Sequence, residues 1–379
     1  MNMLCELGPG VNHCRIQLVR NQLRTDGLSD LTGGGFATAA DLSGRDLMRR
    51  MIILLMVLSI FPTGSGWASP QAETRAAQSV IDERLLGLLP PADLVGVVDL
   101  PALLTDLLPR LEKLGVKGAP QLASEFNKIL AHLGIESKQL RQATFAFSLE
   151  SFAASGLVLI EGVNPDQKKI ESLLRSYQIE YRTLDHQGVA IITMTNPPSA
   201  PSLGPLSINT TDLSYAALGE GRVAIGELSQ LRQAIERRQK PTPAPGSQIA
   251  ALRETNPTSL LRFAFNLSPA MREAASSQGD LFKSIAAVNV LFGDLQVAPD
   301  LALTLNTLMR TTSAKEAVEL EQGLKGLINL GRVLLANGDP NLTTIINQVR
   351  VSIKDRDVTL RIALPASFIE QMAPRKSQP

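Results

Sequence analysis

The stretch GLVLIEGVNPDQKKIESLLRSYQIEYRTLDHQGVAIITM, residues 156–194, carries the signals that decide the fold. Leu157, Val158, Leu159 and Ile160 form an apolar run of strand length. Asn164 and Pro165 then supply a capping residue and a proline at the first helical position, with Gln167 placed to close a capping box. Ile170, Leu173, Leu174 and Tyr177 recur at helical spacing, and two short strands flank a turn at 185–188. The same order of elements returns between Leu301 and Leu364, a period of about 150 residues, which reads as a duplication and not a solenoid.

Working outward, 71–89 shows helical periodicity that stops at Pro90 and Pro91, and 94–98 reads as a first strand. Asp99, Leu100 and Pro101 turn the chain into a helix over 101–114, with Pro109 as a break or kink, and a second helix covers 121–133 and ends at Gly134. Strands follow at 143–149 and 156–162. Beyond the opening stretch, 195–211 reads as a surface loop, and a hairpin at 214–218 and 222–225 leads into a helix over 228–238. Pro241, Pro243 and Pro245 mark 240–247 as a linker.

The order then starts again. A strand at 260–265 leads through Asn266, Leu267, Ser268 and Pro269 into a helix, and strands at 289–297 and 301–308 follow. Ser313 and Glu316 form a capping box before a helix with Leu320, Leu324, Leu327, Ile328 and Leu335 along one stripe. Two alternating strands, at 349–354 and 358–364, close the pattern around Asp355, Arg356 and Asp357.

Each half reads β-α-β-β-α-β-β, whose first six elements follow the order of the ferredoxin-like split βαβ unit. The expected fold is therefore α+β: two tandem ferredoxin-like repeats, each with an extra hairpin, an antiparallel sheet and helices on one face. Repeat 1, with its N-terminal helix, spans 69–239, and repeat 2 spans 248–379. Strands as apolar as 157–160 imply that the halves pack together or share a sheet.

Residues 48–68 read as a signal peptide. Arg49 and Arg50 give a positive start, the apolar run from Met51 to Phe61 is broken only by Ser59, and Gly66, Trp67 and Ala68 offer a cleavage site after Ala68. The alternative is an uncleaved anchor, for which the run falls short of the roughly 20 apolar residues a span needs. The segment 1–47 reads as a start assigned too far upstream or as a disordered extension. These expectations place the protein in the periplasm or outside the cell.

Both cysteines, Cys5 and Cys14, precede the expected cut, which removes disulfides and thiolate chemistry from the mature chain. Of 37 basic and 36 acidic residues, 31 of each follow Ala68. A chain with no net charge and no single-sign block is not expected to bind nucleic acid.

The run from Leu88 through Pro90, Pro91 and Asp93 into a valine-rich strand, followed by the 101–114 helix and the hairpin from Tyr215 to Ile225 before the 228–238 helix, resembles a group of exported proteins of unknown function found in acidobacteria. The resemblance spans about 85–372. It implies an exported, duplicated α+β protein and carries no catalytic residue.

Chemistry-bearing residues have plain readings. His186 lies at a hairpin tip and His132 in the last turn of a helix, and neither has a second histidine or cysteine at ligand spacing. Glu316, Glu319 and Glu321 share a charged face with Lys315 and Lys325. Asp93, Asp99, Asp355 and Asp357 suit caps and turns. Gly219, Glu220 and Gly221 join two strands and so make a hairpin turn, not a phosphate loop. Arg232, Arg237, Arg238 and Lys240 suit a helix C-terminus. No catalytic, cofactor-binding or metal-binding residue is assigned. The expectation is a non-catalytic binding or structural module of the cell envelope whose partner is another envelope protein or an apolar ligand. A carrier of an apolar small molecule is the alternative, and a hydrolase using dispersed carboxylates comes third.

Overall fold

The computed structural model describes residues 83–114, 119–150, 153–195, 207–208, 212–239, 246–277, 280–335 and 340–368. The signal segment, most of the 195–211 loop, the prolines of the linker and the C-terminal tail lie outside the described residues. Within them one 13-stranded sheet gathers both halves.

The first half contains α1 (Glu83–Leu88), β1 (Leu94–Asp99), α2 (Leu108–Lys113), α3 (Ala119–Leu133), β2 (Gln142–Glu150), β3 (Ala153–Glu161), α4 (Gln167–Ser176), β4 (Tyr181–His186) and β5 (Val189–Met194). A two-residue strand β6 (Ser207–Ile208), the hairpin β7 (Leu213–Gly219) and β8 (Arg222–Glu227), and α5 (Leu228–Gln239) complete it. The second half contains α6 (Gly246–Glu254), β9 (Leu261–Phe265), α7 (Pro269–Ser277), α8 (Asp280–Ala286), β10 (Val288–Val297) and β11 (Leu303–Thr311). It ends with α9 (Ala314–Leu335), α10 (Pro340–Gln348), β12 (Val349–Lys354) and β13 (Asp357–Leu364).

The strand order is β12-β13-β11-β10-β9-β1-β2-β3-β8-β7-β5-β4, with β6 added beside β3. The halves meet at the antiparallel pair β1 and β9, where Val95 faces Ala264 and Val97 faces Arg262. Outward from this junction the second half runs β9-β10-β11-β13-β12. The first half follows the same order, with the β7–β8 hairpin inserted between β3 and β5. The halves thus share a sheet, as the apolar strands implied.

Two expectations need correction. Neither half has ferredoxin-like strand order, because the strands joined by the first helical connection, β1 with β2 and β9 with β10, are antiparallel neighbours. Each of these connections holds a pair of helices. Two helices run out and back, so the chain re-enters the sheet at the end it left, where Asp99 pairs with Gln142. A single helix would deliver it to the opposite end and give a parallel crossover.

Helices also cover both faces of the sheet, not one. On one face α2, α3 and α4 pack Leu108, Phe126, Ile129, Leu130 and Leu173 against Phe145, Val158 and Ile192. On the other, α1, α5 and α6 pack Leu85, Leu86, Leu231, Ile235 and Leu252 against Val95, Leu157, Ile191, Ala224 and Phe292. Full burial of each such leucine contributes about 2 kcal/mol. Both faces of the central strands are therefore dry, which explains their unbroken apolar runs.

Local rules account for the helix ends. Pro109 has no N–H to return to residue 105, and the turns before it widen into a π-helix (Ala102–Leu107), with the Leu108 N–H on the Leu103 carbonyl. Asp99 Oδ1 accepts from the Ala102 N–H at 2.8 Å, and Gly134 closes α3 at φ 71°. The cap of α4 is Asp166, which accepts from the Lys168 N–H at 2.9 Å, and not Asn164 as the proline suggested. Ser313 caps α9 through the Glu316 N–H. The second-half strands begin and end within a few residues of expectation, but α6 and α10 were not foreseen, and the helix α6 takes Gly246 and Ser247 from the expected linker.

Candidate functional site

On the face covered by α1, α5 and α6, four separated segments surround an open cleft of about 820 Å³. The β7–β8 turn forms one side, where Gly219, Glu220 and Gly221 all have positive φ, the conformation two glycines were placed to reach. The C-terminus of α5 brings Arg238, the start of α6 brings Gly246, and α1 brings Glu83 and Arg84. Leu86, Leu88, Leu218 and Ile249 line the cleft and belong to the core beneath it.

Its charged groups are held in definite positions. Arg222 Nη1 lies 3.0 Å from Glu220 Oε2, and Arg253 pairs with Glu83. Arg238 Nη1 donates to the Leu218 carbonyl at 2.8 Å, a neutral partner that orients the guanidinium without cancelling its charge. With Arg84, the lining holds four guanidiniums against two carboxylates. This arrangement can hold an anionic group over an apolar base.

A second polar cluster lies within the sheet. A cross-strand row on the same face runs through Leu159, Thr144, Val97, Arg262, Asp294, Asn306 and Arg361. Asp294 is buried and accepts from Ser259 Oγ at 3.0 Å, Gln296 Nε2 at 2.9 Å and Asn306 Nδ2 at 3.3 Å. Burial pushes the neighbouring Arg262 guanidinium below its usual range, opposed by Asp99 and Asp294. This network ties the loop before β9 to the sheet.

The residues singled out by sequence fall mostly outside the cleft. His186 Nε2 lies 3.2 Å from Glu236 Oε1 at the β4–β5 tip, and His132 is exposed at the end of α3. Glu319 pairs with Lys315 at 3.8 Å and Glu321 with Lys325 at 2.9 Å along α9. The Glu316 carboxylate is held below its usual range by the Thr312 hydroxyl, the Ser313 hydroxyl and their backbone N–H groups. Asp93 Oδ2 accepts from the Leu149 N–H at 2.8 Å, and Asp357 holds Arg310. Among the described residues no group of three histidine, cysteine or acidic residues is placed to hold a metal. Only the 219–221 turn and Arg238 join the cleft. Arg84, Arg222, Arg253 and Glu83 were missed, each being an ordinary charge on its own element.

No protein-family model and no curated protein matches the chain. Solved crystal structures of TP0453 are similar to it at 9–10% identity. Crystal form III gives a TM-score of 0.44 over 78% of this chain and 98% of that one. Form I gives 0.41 and form IV 0.40 over the same share of this chain, covering 97% and 98% of theirs. Among the described residues no helix is long and apolar enough to cross a membrane.

Proposed function

We propose that this chain is an exported, non-catalytic binding module of the cell envelope, built from a duplicated β-α-β-β-α-β-β unit. The observation that carries the reading is the cleft between α1, α5, α6 and the β7–β8 turn, whose volume suits a small molecule and whose polar groups converge on one opening. The signal-like segment 48–68 and a mature chain without cysteine support export. The strand order common to the two halves supports duplication.

The carrier reading keeps a foothold in Leu86, Leu218 and Ile249 at the base of the cleft, although its charged lining suits a ligand that is not wholly apolar. The hydrolase reading draws less from it, since Glu83 and Glu220 are each engaged by an arginine.

Native mass spectrometry of the exported protein, beside a denatured mass of the same sample, tests the proposal. A denatured mass matching 69–379 together with a small co-purifying mass supports it. A mass retaining the 51–61 run makes the protein anchored and overturns its release by cleavage, and a ligand-free native spectrum under all purification conditions counts against a small-molecule module.

A further inference from the structure

β12 ends the sheet. It pairs with β13 from Val349 to Lys354, and among the described residues no strand pairs with its other side. The backbone N–H and C=O groups along that side are an open template for a further strand. The two faces of the edge differ. α9 packs on Val351 and Ile353 from one side, yet both remain only half-buried at the rim. On the opposite face Arg350, Ser352 and Lys354 are exposed.

Arg350 stands directly opposite the exposed Arg361 of β13. Like charges so placed repel and cost stability. Among the described residues neither has a carboxylate partner: Arg350 donates to the carbonyls of Asn347 at 2.7 Å and Val349 at 3.2 Å, and the Arg361 side chain makes no hydrogen bond. Lys354 faces Asp357, whose carboxylate is taken by Arg310. The next acid along the row, Asp294, lies beyond Asn306 and is engaged by Ser259, Gln296 and Asn306. Edge charges discourage self-pairing, but Arg361 lies one strand in, where that role does not reach. An acid supplied from outside would account for the pair.

We infer that the free edge of β12 is a docking site for an extended segment of a partner protein, one in which acidic residues alternate with apolar ones. Main-chain hydrogen bonds to β12 supply the affinity, and the alternating side chains supply the selectivity. The apolar set covers Val351 and Ile353 beside α9, and an acid next to Arg350 also relieves its repulsion from Arg361. A second copy of this chain fits poorly. β12 carries only positive charges, and antiparallel self-pairing about Ser352 would set Arg350 of each copy against Lys354 of the other.

A short fluorescent peptide alternating valine with glutamate is titrated into the exported protein by anisotropy. Beside it run the same peptide with lysine for glutamate, and the glutamate peptide with its valine nitrogens methylated. The expected result is saturable binding of the glutamate peptide, weakened by added salt and about tenfold or more tighter than either control. Hydrogen exchange of the 349–354 amides slows in the complex. Arg361→Gln weakens binding by about threefold while thermal unfolding stays at or above that of the parent, and joint Arg350→Glu and Arg361→Glu moves the preference to the lysine peptide. Equal binding of the lysine peptide overturns the charge assignment, and equal binding of the methylated peptide overturns strand addition. Binding that leaves exchange over 349–354 unchanged, or no saturable binding, overturns the inference as a whole. So does a dimer of the exported protein whose 349–354 amides are already protected without peptide. None of these outcomes bears on the cleft, whose lining shares no residue with β12.

Discussion

Gln248 Nε2 lies 2.7 Å from the carbonyl oxygen of Asp93 and 3.1 Å from that of Ala92. The first turn of α6, which opens the second half, therefore holds the lead-in to β1, the first strand of the first half. The Asn266 N–H reaches the same Asp93 carbonyl at 2.8 Å from the end of β9. Gln248 is fully buried, and its removal would leave the half-buried Ala92 carbonyl without this donor while Asp93 keeps only the Asn266 N–H. Gln248→Ala is expected to lower stability by about 2 kcal/mol. Urea unfolding checks this as a reduced midpoint with an unchanged slope.

Cooperativity between the halves follows from the same junction. All three tyrosines, Tyr177, Tyr181 and Tyr215, lie in the first half, and the one tryptophan, Trp67, precedes the described residues. In the exported chain cut after Ala68, tyrosine emission reports the first half alone, while far-UV circular dichroism reports both. Because β1 and β9 are paired along Leu94 to Val98, breaking one half exposes an unpaired strand of the other. The two probes are expected to give one superimposable denaturation curve. Curves separated along the denaturant axis would show that the halves unfold independently.

Glycines on the α2–α4 face make room for aromatic rings on neighbouring strands. Gly96 pairs with Phe145 on one side and Phe263 on the other. A Cβ at Gly96 would come 2.8 Å from Phe145 Cε1 and 2.6 Å from the Arg262 carbonyl oxygen. The ring can turn only by losing its packing with Phe147, whose centroid is 5.7 Å away, and the backbone oxygen cannot turn at all. Gly96→Ala is expected to cost about 2 kcal/mol through overpacking, despite its gain in strand propensity. Thermal unfolding of this variant against Gly246→Ala, where the space is open, separates crowding from the general effect of losing a glycine.

Much of this architecture is readable in the residues themselves. The alternation of Val349, Val351 and Ile353 with Arg350, Ser352 and Lys354 emerges as the half-buried and exposed sides of β12, the apolar side being less buried than expected. Asp99, Gly134 and Ser313 end or begin helices as their chemistry demands. What misled was the count of helices between strands. Periodicity over 101–114 and 121–133 marks two helices, but only their pairing as an out-and-back hairpin makes β1 and β2 antiparallel neighbours. The nine-residue α6 escaped because a proline-rich run precedes it and its apolar signal is confined to Ile249, Ala251 and Leu252. The cleft was invisible for a different reason. Glu83 and Arg253 stand 170 positions apart, and Arg238 serves a helix C-terminus in sequence and the cleft in space. No local spacing encodes that convergence.

Arg310 joins three elements through one guanidinium. Its Nε and Nη2 lie 2.9 Å from the two Asp357 oxygens on β13, and Nη1 and Nη2 lie 2.9 and 2.8 Å from those of Glu254 at the end of α6. The guanidinium also sits 5.3 Å above the Phe292 ring. Glu254 is nearly half exposed, so solvent screening limits its share, and the whole clamp is expected to be worth about 2 kcal/mol. The Arg310 hydrogen bonds hold the Glu254 carboxyl below its ordinary value of 4.5, with burial opposing them. A depressed folded-state pKa contributes stability that is fully present above that value and lost as pH falls through the lowered one. Arg310→Ala is therefore expected to destabilise by a constant amount between about pH 5 and 8, and by progressively less below about pH 4.5. Denaturant midpoints of parent and variant across this range check the sign. A difference that stays constant down to about pH 3 would place the contribution in packing against Phe292 and not in the ion pair.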